Sequence, residues 1–109
     1  MLVAVDANII LSALLGGKPS TILFDSRFDF ITTDFTLSEV EKYLPRFAKK
    51  LHLPISELET AVALLPIQSY HKASYFHQLQ NADNMISPID HKDVDILALA
   101  LKCNCYLWS

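Results

Sequence analysis

Glycine is almost missing from this chain: Gly16 and Gly17 are its only two. A phosphate-cradling loop needs several glycines at fixed spacing, so that backbone N–H groups can approach the phosphates. Neither a P-loop nor a dinucleotide-binding turn can be built here, and a Gly-x-Ser-x-Gly nucleophile elbow is excluded with them. Cysteine is as scarce. Cys103 and Cys105 are the two present, too close for an unstrained disulfide and without nearby histidines to complete a zinc site. They read as small apolar residues on one face of a strand, in a protein of a reducing cytosol. The four histidines, His52, His71, His77 and His91, show no metal-ligand spacing and read as surface or helix-end residues.

Positive charge is also short. Nine Lys and Arg stand against 12 Asp and Glu, a net charge of −3, so a basic nucleic-acid coat is absent. Any nucleic-acid contact has to use a local basic patch helped by bound cations. No apolar run reaches about 18 residues without a charge, so no transmembrane helix is expected. The stretch 2–15 is apolar like a signal peptide, but it lacks a basic start and contains Asp6. The expectation is a soluble, cytoplasmic protein. Hydrophobic residues make up 51% and charged ones only 19%. The first is enough for a core and the second argues against disorder. So few charges also suggest that part of the surface is covered by a partner or a second copy. At 109 residues the chain is one domain.

The unbroken apolar run 2–5 predicts a strand buried on both faces, as in a parallel sheet. Asp6 closes it, and a helix over 8–15 ends at the glycines. Pro19 and Ser20 open a short helix to about 25, and 28–32 is the second strand. The clearest helix is 34–51, where Leu37, Val40, Leu44, Phe47 and Leu51 recur at three and four, with a kink expected at Pro45. Ser56 is the expected N-cap of a helix over 57–65, with Glu59 completing a capping box. A short strand is expected at 67–70, a helix over 71–82, and a loop through Asp83, Asn84, Ser87 and Pro88. Asp90 then caps a helix over about 92–102, and 105–108 is the last strand. This alternation predicts a three-layer α/β/α sandwich with a central parallel sheet, whose sites form at the carboxyl ends of the strands.

Asp6 sits at such an end, and Asn8 can hydrogen-bond it and fix its direction. Capping of the helix is the plainer reading of Asp6. Glu39 is rotated about 100° from the core-facing Val40, on a flank that can reach a cleft; alone it reads as a solvated helix residue, with Glu41 as competitor. Asp90, Asp93 and Asp95 exceed what capping needs. The expectation is that Asp90 caps, Asp93 points to the site, and Asp95 faces solvent or flanks the site. Three carboxylates in one cleft repel one another unless protonated or joined by a cation. All-oxygen ligands suit Mg²⁺ or Mn²⁺, and such a site supports phosphodiester hydrolysis.

Three segments carry a family resemblance. Residues 3–14, VAVDANIILSAL, look like the opening of a PIN domain; 33–43, TDFTLSEVEKY, and 90–101, DHKDVDILALAL, are similar to its second and third acidic segments. Tyr106 to Ser109 resembles the strand that follows. The resemblance implies a metal-dependent ribonuclease acting on RNA with Asp6, Glu39 and Asp93 as ligands and catalytic groups. Ser109 is expected beside them. It also implies a homodimer and, as in toxin–antitoxin pairs, an antitoxin partner. The family usually carries a further acid after this strand, so 1–109 is expected to be a single PIN-like domain lacking the family's C-terminal end.

Lys42, Arg46 and Lys49 follow Glu39 along one helix stripe and are the expected RNA contacts, against a plain solvated face. Lys18 and Arg27 are further candidates, and Tyr43 can stack on a base. Two rival readings remain: an inactive PIN-like module that binds RNA or protein, and a haloacid-dehalogenase-type phosphatase. The latter usually needs an acid where Asn8 stands.

Overall fold

The computed structural model describes residues 1–85 and 91–109. Four parallel strands, β1 (Leu2–Val5), β2 (Asp29–Thr33), β3 (Ile67–Tyr70) and β4 (Tyr106–Trp108), form one sheet in the order β3-β2-β1-β4. β1 lies inside the sheet, between β2 and β4. This explains its composition: Val3, Ala4 and Val5 are all buried, and a strand covered on both faces has no position left for a polar side chain.

Among the described residues six α-helices flank the sheet: α1 (Ala7–Leu14), α2 (Lys18–Leu23), α3 (Asp34–Leu51), α4 (Ile55–Leu64), α5 (Leu79–Met85) and α6 (Val94–Cys103). On one face Val3, Val5 and Phe30 meet Ile10 of α1, Leu23 of α2, Val40 and Leu44 of α3, and Leu58 of α4. On the other, Ala4 and Ile31 meet Tyr75, Ala82 of α5, and Ile96 and Leu99 of α6. The three-layer sandwich expected from the alternation is therefore the architecture found. Leu44 is fully buried in the first core. Leu44→Ala is expected to cost about 3 kcal/mol, read as a lower urea midpoint with an unchanged slope.

Helix α3 spans the expected 34–51. Thr33 caps it, its hydroxyl accepting from the Thr36 N–H at 2.8 Å, and His52 ends it in the left-handed region at φ 57°. The helix continues through Pro45. Elsewhere the structure corrects the expected boundaries. Helix α4 begins at Ile55, with Pro54 in the cap position and no side-chain cap. A proline presets the entry dihedral, which leaves Ser56 inside the helix and the capping box with Glu59 unformed. Segment 71–82 is not one helix. Two 3₁₀ turns, Lys72–Ser74 and Phe76–Gln78, flank Tyr75, which leaves helical geometry at φ −128° and buries its ring. Helix α5 then takes in Asp83 and Asn84, expected to be loop, because it is anchored by the fully buried Ala82. Cys103 closes α6 and Asn104 turns left-handed at φ 50°, so Cys103 and Cys105 do not share a strand face. Both thiols are free and half-buried, and burial pushes the Cys105 thiol up. The expected roles of Asp90, Ser87 and Pro88 lie outside the described residues. No described helix is long and apolar enough to cross a membrane.

Candidate active site

Asp6 follows β1 directly and is buried to 7% exposure. It does cap α1: Oδ1 accepts the Ile9 N–H at 3.1 Å. Its own N–H donates to the Trp108 carbonyl at 3.2 Å. The Thr32 hydroxyl donates to the Val5 carbonyl at 2.9 Å, tying the end of β1 to β2. The backbone carrying Asp6 is thus held from both neighbouring strands.

Glu39 comes from the second turn of α3 and is 9% exposed. Its spacing from Thr36 and Tyr43 is three and four residues, which places all three on one helix stripe, and all three line one cleft of about 110 Å³ with Asp6 and Asn8. Asp93 completes the wall. It ends the short turn His91–Asp93 and stands at the N-cap position of α6, where its side chain makes no capping bond. A carboxylate at a helix start is usually engaged by the helix; this one is exposed and lines the cleft instead. Asp6, Glu39 and Asp93, far apart in sequence, therefore share one depression at the carboxyl end of β1.

The charges feel one another. Burial raises the Asp6 carboxyl above its ordinary 3.8 and the negative charge of Asp93 adds to the rise, against the N–H groups of Ile9 and Asn8. A carboxyl raised in this way binds its proton more tightly in the folded chain. Its contribution to stability is then fully present below pH 3.8 and lost as pH rises through the raised value. The metal-free protein is expected to show this loss in urea midpoints taken across the acid range, and Asp6→Asn to flatten it.

Glu39 has a local partner: Lys42 Nζ lies 2.9 Å from its Oε1. Among the described residues, no group of three or more His, Cys, Asp or Glu side chains is arranged to hold a metal ion. The donor set nevertheless suits a hard divalent cation, since three carboxylates from separate segments line the same cleft. An i,i+3 pair with an exposed lysine is worth only about 0.5 kcal/mol, so the Lys42 contact is a weak hold on the Glu39 carboxylate.

The remaining expectations divide. Asn8 lines the cleft. Ser109 is exposed and does not line it, although the β1–β4 register of Val5 with Trp108, carried one residue further, sets it beside Asp6. Asp95 neither faces solvent nor lines the cleft. It is buried at 8% exposure and accepts a 2.6 Å hydrogen bond from the Tyr75 hydroxyl, because its position in α6 turns toward the core beneath β2. Arg46 and Lys49 are exposed on α3 outside the cleft, with the Arg46 guanidinium 5.8 Å from the Tyr43 ring centre. Lys18 is exposed at the start of α2. Arg27 is engaged by Asp25 at 2.6 Å, whose carboxyl it holds down at about 2. Sequence reasoning missed Lys92 and Thr36, both of which line the cleft. Thr36 had a signal in its capping spacing from Thr33, and Lys92 in its place next to Asp93.

Comparison with known proteins finds that the family model of the PIN domain matches residues 4–109. No curated protein sequence gives a significant match. Among solved structures, a chain in the crystal structure of VapBC2 from Rickettsia felis, bound to a DNA fragment from their promoter, is similar to this one. Its TM-score is 0.66 at 15% identity, covering 98% of this chain and 86% of that one. At that identity the likeness concerns the fold.

Proposed function

Since the chain belongs to the PIN-domain family, whose members are generally nucleases, we propose that it is a divalent-metal-dependent endoribonuclease that hydrolyses single-stranded RNA. The observation that carries this reading is the cleft shared by Asp6, Glu39 and Asp93 at the end of a central parallel strand. These three are the groups that would hold Mg²⁺ or Mn²⁺. When bound, such an ion supplies Lewis-acid polarisation of the phosphodiester and lowers the pKa of a water.

The chain's own residues do the rest. Asp6 is held rigidly by its cap and its strand neighbours, which fixes one wall of the site. Asn8 borders Asp6 and offers an amide to orient it or the substrate. Lys42 would be freed from Glu39 if that carboxylate held a cation, and its ammonium at the rim would then meet a backbone phosphate. Lys92 provides a second from the opposite wall. Tyr43, steadied by Arg46, offers a ring edge to a base. Arg46 and Lys49 extend the positive stripe away from the cleft and contribute steering rather than chemistry.

A place in a toxin–antitoxin pair, with an antitoxin as protein partner and a homodimer as the working form, is part of the same proposal. Its support is the fold shared with VapBC2 and the exposed apolar residues Leu15, Ile22, Phe24, Leu53, Ile55 and Leu64, side chains that a partner can cover.

One observation favours a second reading, a PIN-like module that binds RNA without cutting it: Glu39 is already satisfied by Lys42. Incubation of labelled single-stranded RNA with the protein separates the two. A nuclease cuts in Mn²⁺ or Mg²⁺ and stops when EDTA is added. A binding module retards the RNA equally with and without metal and yields no fragments, which would sink the enzymatic proposal.

A further inference from the structure

Tyr75 is the bulkiest fully buried side chain of the protein, and the acidic cleft does not use it. Its hydroxyl donates to Asp95 Oδ2 at 2.6 Å, inside the core. Asp95 belongs to the first turn of α6, two residues after Asp93 and one before Ile96, and both of those line the cleft. The Thr33 side chain stands close enough to the phenol to act on its proton. Thr33 is the N-cap of α3: its Oγ1 accepts the Thr36 N–H at 2.8 Å and lies 2.7 Å from the Thr36 hydroxyl. Thr36 in turn stands one turn before Glu39 on the cleft-facing stripe. Tyr75 is therefore bonded to the first turn of α6 and stands beside the N-cap of α3, the helix that bears Glu39.

A buried carboxylate is costly without partners. The Tyr75–Asp95 pair satisfies that carboxylate inside the core. What it adds is direction: a short charge-assisted bond allows one placement of the α6 N-terminus, where apolar packing tolerates several. Burial and the Asp95 charge push the phenol upward, so Tyr75 stays protonated and remains a donor at any physiological pH.

We propose that Tyr75 and Asp95 are positioning residues: their hydrogen bond locks the first turn of α6 against the N-cap of α3 and so holds Asp93 across the cleft from Glu39. The proposal rests on the metal-site reading above for its functional consequence but not for its mechanical one, and the test has an arm for each. Calorimetric Mn²⁺ titration and amide hydrogen exchange are measured on the wild type, on Tyr75→Phe and on Asp95→Asn. Phenylalanine keeps the ring and removes only the donor, and asparagine keeps an acceptor for the phenol. Tyr75→Phe is expected to weaken Mn²⁺ binding roughly tenfold and Asp95→Asn to stay within about threefold of wild type. In the metal-free protein, Tyr75→Phe is expected to speed exchange at the Thr36 and Leu97 amides and to leave Leu44, in the middle of α3, unchanged. Unaltered Mn²⁺ affinity in folded Tyr75→Phe overturns the positioning role. Uniform acceleration that includes Leu44 overturns it too, since the pair would then contribute only general stability. A wild type that binds no Mn²⁺ sinks the metal-site reading instead, and the exchange pattern still decides whether the two helix starts are coupled.

Discussion

Asp6→Asn is expected to lower RNA cleavage roughly a thousandfold in saturating Mn²⁺, the rate equivalent of several kcal/mol of transition-state stabilisation. Asparagine is nearly isosteric and keeps an oxygen to accept the Ile9 N–H, so the cap on α1 survives. Only the charge is lost. In the metal-free protein that charge is a liability: it is buried and faces the charge of Asp93, which together raise the Asp6 carboxyl. The same substitution is therefore expected to leave the melting temperature at neutral pH unchanged or higher. Single-turnover cleavage of a labelled RNA, paired with a thermal melt, checks both halves. A variant that loses activity because it unfolds would show the opposite melt. A variant that keeps its activity would move the chemistry elsewhere in the fold.

Saturating Mn²⁺ should raise the melting temperature of the wild type by about 10 °C or more. An ion that binds only the folded chain adds RT ln(1 + [L]/Kd), about 2.7 kcal/mol at a hundred times Kd, and each kcal/mol is worth several degrees in a domain of this size. The Glu39–Lys42 pair, at about 0.5 kcal/mol, is too weak to mask that gain. The shift should nearly vanish in Asp6→Asn and in Glu39→Gln. Lys42→Ala should keep or slightly enlarge it, because the competing ammonium has gone. Differential scanning fluorimetry across a Mn²⁺ series, with Ca²⁺ and Na⁺ as controls, reads this directly. An equal shift in wild type and Asp6→Asn would place the ion at some other site.

Much of this architecture was readable from residue order. β1 and α3 were legible because their signals are local: an unbroken apolar run in one, and apolar repeats at three and four in the other. The parallel sheet followed from the alternation of strands and helices. The shared cleft was legible only in part. Asp6 is tied to the end of β1 by chain connectivity, and Glu39 to the flank of α3 by helical rotation, so both could be placed by counting. Asp93 could be separated from Asp95 only through the family resemblance. Two residues along a helix is a rotation of about 200°, enough to send one carboxylate to the cleft and the other to the core, but the sequence carries no mark of which is which. What segment 71–82 does lay beyond reach as well. Tyr75 leaves helical geometry because its ring and hydroxyl find β2 and α6, partners distant in sequence. The Glu39–Lys42 contact is half visible in the sequence: the three-residue spacing sets a basic stripe after the acid, which suits a path for RNA, whereas in the structure the lysine holds the carboxylate itself.

The proposal that Asp6, Glu39 and Asp93 act as one cation-binding unit is tested most directly by the anomalous difference density of a crystal soaked in Mn²⁺. The expected result is a single strong peak among the three carboxylates, with the Glu39 side chain turned from Lys42 toward it. A fully occupied soak that leaves the cleft without a peak and Glu39 still bound to Lys42 would contradict it.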